Sequence, residues 1–358
     1  MRVGRMIVRD QMDQDVLHVQ AHFAKYVATL GRGPGRSRAL TRAEAADAFG
    51  LVLQGLPDPM QVGAFLMLLR YRGEDPDEIT GLVEAARLDA GLGHAVLART
   101  AGTTGFPAVD LDWPSYGAGR TRGAPWFLLS ALALAKAGTR VLMHGSNEFS
   151  GGVPVADALA ALGRTVQSDA ADVSVSLRDT GFAYWPAAAM APRLEQLLGL
   201  RRLFGLRSPV NTVARLLDPA DAAASVDGVF HPPYIALHLA VAERLQRPSL
   251  LVLKGGGGEA ERAPGKAISI HLRHQDEDVR EMLLPPLGRP APRDPDAPAD
   301  TASLVAAVWQ GARTSGDDFI LATITGTIAM ALLAMRRCST VEDADREGRE
   351  IWDSRLSH

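Results

Sequence analysis

Glycine-rich segments that follow predicted strands are the parts of this sequence best suited to hold a phosphate. The first, residues 116–123, has two glycines and two arginines and leads into a predicted helix: Gly117, Gly119, Arg120 and Arg122. Glycine lets backbone N–H groups come close to a phosphate, and the positive end of a following helix attracts it. Neither the dinucleotide fingerprint nor the Walker pattern is complete here, so a turn without a ligand is the alternative interpretation.

Two further polar segments stand at the ends of predicted strands. Residues 144–147 (His-Gly-Ser-Asn) end one strand, and a run of four glycines, 255–258, follows another. Because open α/β sheets bind ligands at the carboxyl ends of their strands, His144, Gly145 and Asn147 are candidate phosphate contacts. For His144 the alternative is a histidine that only satisfies a hydrogen bond at a strand end.

Two carboxylates and five arginines complete the candidate chemistry. Glu259 and Glu261 lie just past the second glycine run and could hold Mg²⁺ through their oxygens, solvated loop acids being the alternative. Residues 193–215 contain five arginines and a single acid, and the arginines are Arg193, Arg201, Arg202, Arg207 and Arg215. Such a density of arginine suits phosphate binding, although arginines on a helix surface also cover apolar neighbours.

The elements that must position these residues fall into two groups. An N-cap residue followed three positions later by Glu or Gln predicts helices that start at Thr41, Asp58 and Asp75. From about Val109 the pattern changes to short apolar strands that alternate with helices. The sequence therefore predicts an α/β protein, with a small all-helical domain over residues 1–105 and a larger α/β domain with a mostly parallel central sheet over residues 106–358.

Composition limits the class of protein. The chain has 358 residues, 22% charged side chains and a formal net charge of −3, all ordinary for a globular protein. No apolar run near the N-terminus resembles a signal or membrane segment, and the single cysteine, Cys338, has no partner for an internal disulfide. The sequence therefore predicts a cytoplasmic protein that does not enter the membrane.

Four segments match the motifs of one known family in the same order. Residues 141–145 (Val-Leu-Met-His-Gly) are similar to a strand that ends in Lys-His-Gly-Asn, and residues 228–232 to Gly-Val-Tyr/Phe-His-Pro. The helix at 155–163 and the Arg-Arg segment at 201–211 also match. The chain thus resembles the family 3 glycosyltransferases, especially anthranilate phosphoribosyltransferase and its nucleic-acid-binding relatives of the YbiB type. The resemblance implies a nucleoside phosphorylase/phosphoribosyltransferase-like fold.

The chain departs from this family where the family does its chemistry. Residues 114–120 (Pro-Ser-Tyr-Gly-Ala-Gly-Arg) replace the Gly-Thr-Gly-Gly-Asp loop for the diphosphate of phosphoribosyl diphosphate. Met143 replaces the lysine of Lys-His-Gly, and residues 260–261 (Ala-Glu) replace the magnesium-binding Asp-Glu pair. A leaving diphosphate needs electrostatic stabilisation, so we expect anthranilate transfer to be undetectable or very slow. Residues 112–116 and 123–126 instead resemble the YbiB-type branch.

That branch implies a homodimer that binds DNA or RNA without sequence preference and without a required cofactor. The arginines at 120, 122 and 193–215 would supply the contacts, and the apolar face of residues 65–69 predicts that the dimer forms through the N-terminal helices.

The alternative is an active, Mg²⁺-dependent transferase that uses phosphoribosyl diphosphate and an unknown acceptor. Gly117, Gly119, His144 and Asn147 would then position the diphosphate, Glu259 and Glu261 the metal, and Arg202 the acceptor. A dinucleotide-dependent oxidoreductase is less favoured, because no acidic residue for a ribose is evident about twenty residues after the first glycine segment.

Overall fold

The structure is a computed structural model of the 358-residue chain. It describes residues 2–33, 35–100, 105–117, 123–146, 148–275, 277–288, 301–313 and 317–356.

Helices in the described ranges are, in chain order, α1 Arg2–Gly31, α2 Arg42–Leu53, α3 Pro59–Arg72, α4 Pro76–Asp89, α5 His94–Thr100, α6 Trp126–Lys136, α7 Val155–Ala161, α8 Ala170–Thr180, α9 Ala187–Met190, α10 Pro192–Gly199, α11 Arg201–Phe204, α12 Val210–Arg215, α13 Pro233–Arg244, α14 Ala302–Trp309, α15 Asp317–Ala334 and α16 Val341–Ser354. The strands are β1 Leu111–Ser115, β2 Val141–Gly145, β3 Phe182–Pro186, β4 Ala224–Val229, β5 Ser249–Lys254, β6 Ile268–His274 and β7 Arg280–Leu284.

The chain forms two compact units, one of residues 1–91 with 191–217 and one of residues 92–190 with 218–358. In the described residues the first unit is all-helical and the second combines helices with a mostly parallel sheet, which confirms the predicted fold class. The sequence analysis did not anticipate that residues 191–217 belong to the helical unit. The domain boundary between residues 105 and 106 stays a prediction.

The helical unit begins its helices where the sequence predicted. Thr41, Asp58 and Asp75 are the N-caps of α2, α3 and α4, and each forms the expected reciprocal capping box with the residue three positions on. Helices α2 and α4 pack so closely that a Cβ on Gly81 would lie 2.2 Å from the carbonyl oxygen of Arg42. This contact brings the two helices together at a point where only glycine fits.

The α/β unit is built on a seven-stranded sheet of order β3-β2-β1-β4-β5-β6-β7, in which β1 to β5 are parallel and β6 and β7 are antiparallel. From β1 the chain builds outward to β2 and β3 on one side, then returns to place β4 and β5 on the other. The strand order therefore reverses between β1 and β4, and sheets of this kind bind ligands at the carboxyl ends of strands beside such a reversal.

Both faces of the central strands are covered. Alternate residues such as Trp113, Met143 and Leu253 enter a large core with α6 and α15, whereas Leu250 and Val252 pack on the opposite face with residues of α13. Near-continuous apolar strands are what a sheet buried on both sides requires. No helix in the described ranges is both long enough and apolar enough to span a membrane.

Candidate functional site

The strand-end site is the edge of the sheet where β1 and β4 end, beside the reversal of strand order. We define it by residues 115–117, 144–146, 228–231 and 254–261. Ser115 Oγ donates a hydrogen bond to Glu259 Oε1 at 3.3 Å, so the loop that leaves β5 reaches across to β1. The two glycine segments and the His-Gly turn that the sequence singled out thus begin at one edge of the sheet.

Three glycines let the backbones of this edge pack against each other. A Cβ on Gly145 would lie 1.8 Å from the carbonyl oxygen of Ser115. A Cβ on Gly228 would lie 2.1 Å from the carbonyl carbon of Glu259, and one on Gly255 would lie 1.6 Å from the Glu259 carbonyl oxygen. Real Cβ atoms do not approach backbone this closely, so the fold requires these glycines whatever the edge binds.

Tyr116 turns its ring into the protein at the end of β1. Its phenol oxygen lies 3.0 Å from His144 Nδ1, and the two rings meet edge to face with 5.5 Å between their centroids. His144 Nε2 lies 3.3 Å from Asp112 Oδ1, without the alignment of a hydrogen bond. All three side chains are buried. A phosphate can therefore contact the His144 ring only if Tyr116 or Asp112 moves.

A second buried carboxylate–imidazole pair lies on the same face of the sheet. Asp227 Oδ2 on β4 is 2.7 Å from His238 Nδ1 on α13, and both side chains are buried. Strand register puts Ser225 opposite Asp112, so Asp227 and Asp112 share that face. The sequence analysis missed this pair, although two polar residues at alternate positions of an otherwise apolar strand were the available signal.

Glu259 and Glu261, the predicted magnesium ligands, both accept hydrogen bonds from the protein. Glu259 accepts from Ser115, and Glu261 Oε2 accepts the backbone N–H of Phe127 at 3.0 Å, near the start of α6. A carboxylate suits the positive end of a helix. Within the described residues no cluster of three or more His, Cys, Asp or Glu side chains is arranged to hold a metal. A Mg²⁺ ion here would thus depend on ligand phosphates for much of its coordination.

The other predicted phosphate contacts divide between described and undescribed positions. Gly117 is described and buried at the end of β1. The remaining predictions, Gly119, Arg120, Arg122 and Asn147, lie outside the described residues. Lys254 was not among the predicted contacts, and its side chain is exposed at the carboxyl end of β5.

The five arginines of residues 193–215 lie in the helical unit but in different environments. Arg202 is exposed, and Arg201 and Arg207 are partly exposed. Arg193 is exposed on α10 and pairs with Asp89, Nη1 to Oδ1 2.5 Å. Arg215, by contrast, is buried and donates from Nη1 to the carbonyl oxygen of Asn211 at 3.1 Å. A surface contact with a nucleic acid needs an exposed guanidinium, so Arg215 has a structural role instead.

The basic segment, residues 201–207, also presents apolar side chains to the solvent. Leu203 is 81% exposed and Leu206 is 47% exposed. Helix α11 ends here at Gly205, whose φ of 69° is a left-handed conformation that favours glycine. In the α/β unit, Phe230 just past β4 is also exposed and meets the ring of His231 edge to face at 4.7 Å between centroids. The sequence analysis did not single out these exposed side chains.

The helical segment and the α/β segment of this chain each match a model of one protein family. A model described as the helical bundle domain of a glycosyl transferase family matches residues 24–90. A second, described as the α/β domain of a glycosyl transferase family, matches residues 127–354. The chain therefore belongs to this glycosyl transferase family, which confirms the resemblance to the family 3 glycosyltransferases, whereas the resemblance to the YbiB type stays a prediction.

Relatives within the family are anthranilate phosphoribosyltransferases. The protein of that name from Moorella thermoacetica is 30% identical over 320 residues, which cover 85% of this chain and 87% of the relative. The one from Chloroflexus aurantiacus is 32% identical over 278 residues, 76% of this chain and 78% of the relative.

Solved structures of the same enzyme share the fold. Anthranilate phosphoribosyltransferase from Thermus thermophilus has a TM-score of 0.72 and 22% identity over 93% of this chain and 94% of its own. The Saccharomyces cerevisiae enzyme in complex with PRPP and Mg has a TM-score of 0.72 and 16% identity, over 94% of each chain. At these identities the likeness establishes the fold alone.

Proposed function

We propose that this chain binds DNA or RNA without sequence preference, through the basic segment, and that it does not transfer phosphoribosyl groups to anthranilate. The exposure of Arg201, Arg202 and Arg207 on one short stretch of the helical unit carries the proposal. Arginine suits this role because its planar guanidinium donates two parallel hydrogen bonds to a phosphate. No cofactor is needed for such binding.

The charge of the two units supports this assignment. By sequence the helical unit has 16 basic and 13 acidic residues, whereas the α/β unit has 22 basic and 28 acidic residues. The net charge of −3 therefore combines a positive helical unit with a more strongly negative α/β unit. A polyanion is attracted to the first and repelled by the second, so we expect phosphates to bind the helical unit.

Contacts to phosphate explain affinity without sequence preference, because phosphates carry no sequence information. The basic segment has no defined spacing of base-reading side chains. Exposed Leu203 and Leu206 offer apolar surface against which unpaired bases can pack. We therefore expect single strands to bind at least as well as duplexes. Arg215 is excluded from the proposal because it is buried.

Three features of the strand-end site argue against anthranilate transfer. The Tyr116 ring lies inside the site, where the family has a small glycine-rich loop. Met143 is buried at the position of the family's lysine, so no cation replaces the lost one there. Ala260, also buried, removes one metal carboxylate, and Glu261 already accepts a hydrogen bond from α6. Charge on a leaving diphosphate would lack the stabilisation that catalysis needs.

A second candidate is Mg²⁺-dependent phosphoribosyl transfer from phosphoribosyl diphosphate to an unknown acceptor. Exposed Lys254, next to the glycine run at the end of β5, favours phosphate binding at the strand-end site. The sequence assigns to it Gly117, Gly119, His144 and Asn147 for the diphosphate, Glu259 and Glu261 for the metal, and Arg202 for the acceptor. The relatives' names and the yeast structure in complex with PRPP and Mg make phosphoribosyl diphosphate the ligand to test.

We further propose that the protein is a cytoplasmic homodimer formed through its N-terminal helices. The face of residues 65–69, from which the sequence predicts the dimer, is instead mostly buried, since Phe65, Leu66 and Leu69 are buried. Other large apolar side chains of this unit are exposed, with Leu17 on α1 63% exposed and Met60 on α3 81% exposed. Apolar side chains grouped on one surface commonly mark a protein interface. A monomer at micromolar concentration in light scattering would contradict the dimer.

One titration separates the two candidate functions. The full-length protein is titrated with a fluorescent single-stranded oligonucleotide and, separately, with phosphoribosyl diphosphate plus Mg²⁺. We expect oligonucleotide binding with a dissociation constant on the order of 1 to 100 µM at physiological salt, as for other sequence-independent binding. Saturable binding of phosphoribosyl diphosphate with no oligonucleotide binding would instead establish the second candidate. Turnover of anthranilate is measured in the same preparation, and rapid turnover would contradict the proposal.

A further inference from the structure

A cavity of about 510 Å³ lies in the α/β unit at the amino ends of the central strands. Its wall includes residues just before or at the start of β1, β2, β4 and β5, together with the turn after α15. The strand-end site lies at the carboxyl ends of the same strands, so the cavity is at the opposite edge of the sheet. Its volume is within the range of small-molecule sites. The proposed function gives this cavity no role.

Small residues keep this cavity open. Ala223, Ala224, Pro248 and Ala334 form apolar parts of its wall. Gly138, also in the wall, has a φ of 90°, and a Cβ built on it would meet no atom within 4 Å. A small apolar body can therefore lie against these residues without displacing protein atoms.

Two consecutive arginines give the cavity its charge. Arg337 donates from Nη1 to Thr139 Oγ1 at 3.2 Å and from Nη2 to Glu347 Oε1 at 2.8 Å. Arg336 pairs with Glu277, and more than a third of each of these two side chains is exposed. Exposed ion pairs contribute little stability, about 0–1 kcal/mol. An incoming anion can therefore replace Glu277 at Arg336 at small cost.

The backbone of Arg336 is in a conformation that arginine rarely adopts. Its φ is 58°, in the left-handed region, directly after α15 ends at Ala334. Glycine or asparagine normally stands at such a position, and a residue with a larger side chain costs about 1 kcal/mol or more. A positive charge near the carboxyl end of a helix accounts for part of this choice. Arg336 lines the cavity, so its side chain is available to an anion there.

The remaining ionisable groups of the cavity do not oppose an anion strongly. Asp110 accepts from the backbone N–H of Arg140 at 2.7 Å and lies 3.6 Å from the Arg140 guanidinium. His274 hydrogen bonds to Ser249 of the wall, Nδ1 to Oγ 3.0 Å. Burial, followed by the positive charge of Arg336, lowers the pKa of His274.

We propose that this cavity is a binding site for a small organic anion, in which a carboxylate or phosphate group binds Arg336 and an apolar body lies against the alanines and Gly138. Carboxylates and phosphates share the geometry that a guanidinium recognises, two acceptor oxygens side by side. The site is separate from the basic segment and from the strand-end site.

The test is calorimetric or NMR titration of the full-length protein with benzoate and with phenyl phosphate, and with benzamide as the uncharged control. Arg336→Gly removes the guanidinium at a backbone position that glycine fits, so the fold should be retained. Ala223→Trp fills the cavity from an exposed position. Arg346→Gln, which breaks the exposed pair with Asp343 on α16, is the matched control.

We expect at least one anionic probe to bind the parent, and benzamide to bind at least about tenfold more weakly, since a lost charged hydrogen bond is worth about that factor. Arg336→Gly and Ala223→Trp should each lower the affinity for the anionic probe by about tenfold or more, whereas Arg346→Gln should leave this affinity unchanged. Preference for benzoate or for phenyl phosphate tells which anionic group the site takes. Absence of binding at millimolar concentration, equal binding of benzamide, or unchanged affinity in Arg336→Gly would overturn the proposal.

Discussion

The strand-end site and the basic segment differ in how accessible their polar groups are. At the strand ends, His144 is enclosed by Tyr116 and Asp112, and Glu261 accepts a hydrogen bond from the start of α6. In the basic segment, Arg202 and its neighbours reach the solvent on a short helix and turn. In the first region, polar groups of the protein bind one another. The second has side chains that an external ligand can reach.

Because of this difference, we expect substitutions in the two regions to affect different properties of the protein. Substitutions at the strand-end site should lower the stability of the protein and leave affinity for nucleic acid nearly unchanged. Substitutions in the basic segment should lower affinity for nucleic acid and change stability little, because substitutions at the surface usually change it by no more than about 0.5 kcal/mol.

The largest effect on stability should come from Gly145→Ala. The added Cβ would lie 1.8 Å from the Ser115 carbonyl oxygen, so β1 and β2 must separate at their carboxyl ends. We expect the free energy of unfolding to fall by about 3 kcal/mol in urea titration. Gly50→Ala in α2 is the matched control, since its Cβ meets open space, and it should raise stability by up to about 1 kcal/mol. Equal, small effects of the two changes would contradict the close packing.

Tyr116→Phe should have a smaller effect, because it removes one buried hydrogen bond and keeps the ring. Loss of the phenol oxygen leaves His144 Nδ1 without that partner, which should cost about 1–2 kcal/mol of unfolding free energy. Tyr71→Phe, at a side chain that is 91% exposed, should change nothing. If Tyr116→Phe were neutral in urea titration but altered oligonucleotide affinity, the strand-end site would take part in binding.

The smallest effect concerns an exposed ion pair of the helical unit and depends on pH. Arg38, followed by the backbone N–H of Thr41, lowers the pKa of Glu44 from 4.5 to about 2 in the folded protein. A lowered folded pKa adds stability that is complete above pH 4.5 and is lost as the pH falls through 2. Glu44→Gln should therefore cost about 1 kcal/mol or less at pH 7, and its difference from the parent should shrink as the pH falls through 2 and vanish below it. A difference that stayed constant across this range would show that Glu44 does not act through its charge.

Local patterns were sufficient to predict much of the fold. The starts of α2, α3 and α4 follow from N-cap residues and their partners three positions on, which interact within a single helical turn. The strands that the sequence predicts to end at residues 144–147 and just before residue 255 are β2 and β5, because apolar runs that lead into glycine indicate the end of a buried strand.

Features that depend on distant partners could not be predicted. The burial of Arg215, the inward turn of Tyr116 and the packing of residues 191–217 within the helical unit are set by neighbours far away in the sequence. Those predicted strand-end residues that the structure describes lie at one edge of the sheet, because parallel strands align their carboxyl ends. Whether each side chain faces a ligand or the core depends on tertiary packing, which local spacing does not determine.

The central claim, that the basic segment binds nucleic acid through its phosphates, is tested most directly by salt dependence. Affinities of the parent and of the triple variant Arg201→Ala, Arg202→Ala, Arg207→Ala are measured for two unrelated oligonucleotides at several salt concentrations, with Arg346→Ala as control. We predict that the triple variant loses affinity for both sequences by similar factors and that its slope of log affinity against log salt is flatter by roughly one unit per lost contact. Unfolding of the triple variant, or the parent's affinity with the parent's slope, would contradict the account.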